Sequence, residues 1–156
     1  MSRIHAAAAM VIDARPEEIY AILADYRTQH PQVLPRKYFK SLEIEAGGQG
    51  AGTVFRTRVR TGGLERSYHM VVSEPEPGLL VETDESAGLT TRFIIKPVED
   101  GKRSSVEISS EWEIKGIQGF LGQVMVPPTQ RRIYRTELAQ LAELVHSKHA
   151  TVGERR

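Results

Sequence analysis

Two side chains in this sequence stand where a proton could be passed: the phenol of Tyr68 and the carboxyl of Glu82. Each lies in a run of alternating character, and alternation decides which way a strand residue points. In the run 64–74, Tyr68, Met70 and Val72 share a face opposite Ser67 and His69, so the phenol points inward among apolar neighbours. The run 79–85 reads two ways, with either Leu79, Val81 and Thr83 or Leu80, Glu82 and Asp84 facing in. The second register carries a carboxylate into an apolar interior, which costs several kcal/mol unless it is paired or becomes neutral. The first leaves Glu82 at a rim or outside, salt-bridged to an arginine such as Arg92, and the rarity of fully buried glutamate favours it. An inward Tyr68 or Glu82 would be a candidate proton donor or acceptor.

Other constellations carry less. EAGGQGAGTVFRT, residues 45–57, packs four glycines into six positions but is flanked by alternating runs rather than by a strand and a helix. It lacks the sixth-place glycine of a dinucleotide fingerprint and the Gly-Lys-Ser/Thr end of a phosphate loop. Its glycines instead serve a tight hairpin with positive φ. Among five histidines only His146-x-x-His149 has ligand-like spacing, with no acid beside it, so no metal or other cofactor is expected. The absence of cysteine excludes disulfides and thiolate chemistry and fits a reducing cytoplasm. No GxSxG or similar pattern supports a hydrolase. Arg131, Arg132, Arg135 and Lys148 make the second half of the last helix basic; paired with acids such as Glu137, they read first as a solvated face. Without interleaved aromatics they are a weak case for nucleic acid, and an interaction module on this stripe is a third-ranked reading.

The elements that position these residues follow from punctuation. With 156 residues, 40% hydrophobic and 26% charged, and a net charge of +1, the chain fits one globular domain with no global pull toward nucleic acid or anionic lipid. MSRIHAAAAMVIDA contains no signal-peptide h-region, and no run reaches the ~20 apolar residues of a membrane span. A first strand over 4–13 gives way at Arg15-Pro16-Glu17-Glu18 to a helix whose Ile19, Ile22 and Leu23 share a face, running to about Asp25. TQHPQVLPRKY holds at most a short helical turn. Six alternating runs follow, over 38–46, 53–61, 64–74, 79–85, 89–98 and 104–114, separated by hairpin turns such as Gly62-Gly63. From Gly116 apolar residues recur at helical spacing through Phe120 and Val124 and again through Tyr134, Leu138, Leu141 and Val145, with Pro127-Pro128 predicting a kink or break between. The tail 148–156 is polar and expected to fray.

The order of elements, DARPEEIYAILADY, the glycine loop, VSEPEPGLLVE, FIIKPVEDGKRSSVEI and the closing amphipathic helix together resemble the polyketide cyclase-like branch of the START and birch-pollen-allergen (SRPBCC) superfamily over about residues 3–147. The resemblance implies an α+β helix-grip fold, with a bent seven-stranded antiparallel sheet wrapped around the last helix. It also implies a cavity between the two. Members of the superfamily bind sterols, lipids, hormones, quinones or polyketides there, and some carry out cyclisation or dehydration.

On that frame alternation points Phe55, Thr57 and Val59 inward, opposite Arg56, Arg58 and Arg60. Tyr68 and Met70 join them, then Thr91 and Phe93, then Ser110 and Trp112. Phe120, Val124 and Met125 come from the helix. The first-ranked function is binding of a hydrophobic or aromatic small molecule by this set. The second is a cyclase or dehydratase using Tyr68 or Glu82. The stretches 29–39 and VMVPP are expected at the cavity mouth.

Overall fold

The computed structural model describes residues 2–114 and 117–154, with the side chains of 3–113 and 126–153. Strand β1 (Ser2–Ile12) leads into helix α1 (Pro16–Leu23), which starts on proline with Glu17 and Glu18 in its first turn and buries Ile19, Ile22 and Leu23. One short turn, α2 (His30–Val33), precedes the meander. The meander comprises β2 (Phe39–Ala46), β3 (Val54–Thr61), β4 (Leu64–Glu76), β5 (Leu79–Asp84), β6 (Leu89–Val98) and β7 (Arg103–Ile114). Helix α3 (Ile117–Glu154) closes the chain.

All neighbouring strands are antiparallel, in the order β1-β7-β6-β5-β4-β3-β2. The first two strands in sequence therefore lie at opposite edges, and the α1–α2 link carries the chain from one edge to the other. Gly62 and Gly63, both at positive φ, form the two-residue turn between the paired Thr61 and Leu64.

The sheet closes on α3, which lies against β1 and β7 and touches α2. Ile133, Tyr134, Leu138, Leu141 and Val145 form its buried stripe, at the spacing the sequence predicts. The helix is one continuous element through Pro127 and Pro128, so the break allowed for by those prolines is absent. The Gln140 amide nitrogen donates to the backbone carbonyls of Gln32 and Val33, at 3.1 and 3.0 Å, which fastens α2 under the helix. Carbonyls at a short helix end have no internal partner, so this contact fixes the turn that carries His30.

Candidate functional site

Between the concave face of the sheet and α3 lies a cavity of about 260 Å³. The strands deliver its wall by the alternation read from sequence. Phe55, Thr57 and Val59 of β3 line it, as do Tyr68 and Met70 of β4, Thr91 and Phe93 of β6, and Trp112 of β7. Ser110 sits behind the wall, its hydroxyl 2.6 Å from that of Thr91 and in a short hydrogen bond with Tyr134. Those three hydroxyls satisfy one another within an otherwise apolar layer. Phe120, Val124 and Met125 lie outside the residues whose side chains are described; Val126, Gln130 and Tyr134 supply the helix side. Of the stretch 29–39, His30, Leu34 and Phe39 line the cavity, His30 as deep floor rather than mouth. The exposed Leu64 and Arg66 on the β3–β4 hairpin mark the open end.

The floor is where the structure departs from the sequence reading. Glu82 is 6% exposed and lines the cavity, so β5 takes the register that turns Leu80, Glu82 and Asp84 inward. The favoured placement, at a rim beside Arg92, is wrong: Arg92 stands 3.9 Å from Glu111 across the outer face. Alternation failed here because Val81 is also buried, which leaves no polar side to mark the outside. Glu137, read as a solvated partner for the basic stripe, is likewise inside, 2% exposed and on the cavity wall. It follows Tyr134 by three residues and precedes Leu141 by four, on the same face of the helix. Its charge disguised a spacing that could have found it.

Two further floor residues were not anticipated. The Tyr26 hydroxyl donates to Glu82 Oε1 at 2.9 Å. His30 stacks on Tyr26 with ring centroids 4.4 Å apart and stands at 76° to the Phe93 ring, centroids 5.4 Å apart. His30 Nδ1 lies 2.7 Å from the Leu23 carbonyl oxygen, which can only accept, so Nδ1 carries the hydrogen and Nε2 is a bare acceptor in the neutral ring. Nε2 stands 3.7 Å from Glu82 Oε1, beyond hydrogen-bond distance.

The loop between α1 and α2 holds these rings. Asp25 accepts from the Thr28 backbone and hydroxyl and from the Gln29 and Gln49 amides. Burial alone would push its carboxyl up, but the donors of Gln29 and Thr28 outweigh it and leave Asp25 below the usual range. The glycine-rich stretch docks on the same segment, with Tyr26 N–H donating to the Gly48 carbonyl at 3.0 Å and Gly50 N–H to that of Ala24 at 2.8 Å. Gly48 has φ of +130°, and a Cβ there would collide with the Arg27 side chain. The glycines thus let backbone approach backbone behind Tyr26, a use quite different from cradling phosphate.

Electrostatically the floor is a set of desolvated groups. Burial raises the Glu82 carboxyl to about 7, against the lowering effect of the Tyr26 hydroxyl. Burial, with the nearby charge of Glu82, holds Glu137 well above the carboxylate range. Burial drops His30 to about 4, so its ring is neutral at pH 7. Toward the mouth, burial raises the Tyr68 phenol while hydrogen bonds from Arg66 and Trp112 pull the other way. Such a pocket can shelter an apolar body, present acceptors to its inner end, and hold two carboxyls on its wall whose burial favours their neutral forms.

The basic residues of α3 are elsewhere, with Arg132 and Arg135 exposed. Among the described residues no group of three or more histidine, aspartate or glutamate side chains is arranged to hold a metal ion. No described helix is long and apolar enough to cross a membrane.

Comparison with known proteins agrees with this architecture. The solution structure of the KanY protein is similar at 28% identity and a TM-score of 0.80, over 94% of this chain and 99% of that one. The protein TTHA0849 of Thermus thermophilus is similar at 19% identity and 0.73, over 92% and 98%. The Zhui aromatase/cyclase of Streptomyces sp. R1128 follows the same fold at 15% identity and 0.70, over 92% and 94%. None of the curated proteins matches the chain. The family model described as polyketide cyclase / dehydrase and lipid transport matches residues 3–146, and with a START-like helix-grip architecture on the page the chain belongs to that family.

Proposed function

We propose that the protein binds a small hydrophobic or aromatic molecule between the sheet and α3, with the apolar body against Phe55, Met70, Phe93 and Trp112 and a polar end at Glu82 and His30. The observation that carries this reading is a hollow of about 260 Å³ among the described residues, lined mainly by apolar side chains of the sheet and closed by α3. Interiors close-pack, so a void of this size under a single covering helix calls for an occupant. The volume falls just under the ~300–1,000 Å³ of pockets for drug-sized ligands and suits one small ring system or a short chain. Trp112 is the single tryptophan in the sequence and lines the cavity, so its emission reports occupancy directly. Titration with the neutral two-ring dye 2-naphthol should change Trp112 emission saturably, and Thr57→Phe, which fills the hollow, should block uptake. A chain that leaves both signals flat at micromolar dye does not bind this way.

The raised carboxyls of Glu82 and Glu137 favour a second reading, a cyclase- or dehydratase-type enzyme in the same cavity. Glu82, half ionised near neutrality, would take a proton from carbon beside a carbonyl, and Glu137 or Tyr68 would give one to a departing hydroxyl. The hollow would fold the substrate by proximity. Water loss from a β-hydroxyketone probe, abolished by Glu82→Gln with binding retained, would separate enzyme from carrier.

A further inference from the structure

We infer that the inner end of the cavity is built for a protonated amine, so that the ligand is a hydrophobic or aromatic primary amine seated with its ammonium at Glu82, His30 and Glu137. This rests on the cavity being a ligand pocket and names the class of molecule it takes.

The case is one of donors and acceptors. The floor offers the two oxygens of Glu82, one already holding the Tyr26 hydroxyl at 2.9 Å, and the bare Nε2 of His30, fixed as an acceptor by its Nδ1 contact with Leu23. Glu137 adds a carboxyl that is 98% buried, since it is 2% exposed, and it lines the same hollow. Among the described residues no side-chain or backbone donor meets it, and no lysine or arginine lines the inner end; Arg66 lies at the open end. A hydroxyl brings one donor to this cluster. An ammonium brings three, with a charge that would relieve both desolvated carboxyls at once. Aromatic faces complete the surround, since Phe55 and Phe93 line the cavity beside the stacked Tyr26 and His30, and ring faces attract cations. A carboxylate ligand would meet the opposite, two acids and a lone pair.

The titratable groups around the floor are Glu82 from β5, Glu137 and Tyr134 from α3, His30 from α2 and Tyr26 before it, with Asp25 acting on His30 from behind. Arg66 and Tyr68 of β4 stand toward the mouth. Alkylamines stay charged between pH 5.5 and 8, as lysine does, so a pH effect in that range reports the protein.

The test uses the full chain and three probes of equal length, decylamine, decanol and decanoate, with Trp112 emission as readout. At pH 8 decylamine should bind at least tenfold tighter than decanol, with decanoate weakest. The amine's advantage should shrink severalfold at pH 5.5 as the floor takes up protons. Glu137→Gln and Glu82→Gln should each lose most of that advantage while decanol binding persists. Equal binding of amine and alcohol, or tightest binding of decanoate, overturns the inference and leaves the hydrophobic pocket standing. Failure of all three probes overturns the pocket itself and the inference with it.

Discussion

Replacing Glu82 by glutamine should leave stability near the wild-type value at pH 4.5 and raise it increasingly as the pH rises. Glutamine keeps the shape and the oxygen that accepts from Tyr26, and removes only the ionisation. In the folded chain Glu82 titrates at about 7 against an ordinary 4.5, so the native state holds its proton more tightly than the unfolded chain does. Between those values the folded state binds the extra proton and stability falls as pH rises; above about 7 the loss is complete, at about 3 kcal/mol. His30 opposes this. Lowered from 6.5 to about 4, it stays neutral when folded while the unfolded chain takes up a proton, so it adds stability as pH rises from 4 to 6.5. Glu137, raised in the same sense as Glu82, works with Glu82 above 4.5. Wild-type profiles therefore mix three contributions, and the variant-minus-wild-type difference removes His30 from the comparison and leaves Glu82 with its effect on Glu137. Urea unfolding at intervals from pH 4.5 to 8 should show Glu82→Gln gaining on wild type steadily to about pH 7, by about 3 kcal/mol in all. Relief of the repulsion on Glu137 adds to the gain at the alkaline end. A difference that stays constant across that range would mean that Glu82 is not a desolvated acid, and the description of the floor would fall with it.

Removing the Tyr26 hydroxyl with Tyr26→Phe deletes the hydrogen bond that lowers the Glu82 carboxyl, so its titration should move above 7 in a carbon-detected NMR experiment. The stability cost should be about 1 kcal/mol at pH 5 and about 2–3 at pH 8, where the acceptor is charged. Gly48→Ala puts a side chain against Arg27 at φ of +130° and should cost at least about 1–2 kcal/mol while shifting the amide resonances of Tyr26 and His30. Unperturbed resonances there would separate the glycine loop from the site.

Much of the architecture is legible in the sequence because its signals are local. The strand boundaries follow Gly62-Gly63 and the other turn residues to within about two positions, and β3, β4, β6 and β7 sort inward from outward because charged residues mark the wet face. The cavity wall from Phe55 to Trp112 was readable for the same reason. The floor was not. Strand β5 buries both Leu80 and Val81, so hydropathy gives no hand to the alternation and the facing of Glu82 depends on pairing across the sheet. Glu137 obeys helical spacing with Tyr134 and Leu141, but a charged residue beside Arg132 and Arg135 reads as surface until packing shows otherwise. Tyr26 comes from the loop after α1 and His30 from the first position of the single-turn α2, a stretch too short to show a period. Asp25 and the glycine stretch place them through contacts between residues distant in sequence.

The most direct test of ligand binding in this cavity is a titration of Trp112 emission with the two-ring dye 2-naphthol in wild type and Thr57→Phe, with stoichiometry checked by native mass spectrometry. A ligand cavity predicts saturation at one dye per chain in the wild type and loss of uptake in the variant. No change in Trp112 emission, or uptake that survives filling the hollow, would contradict it.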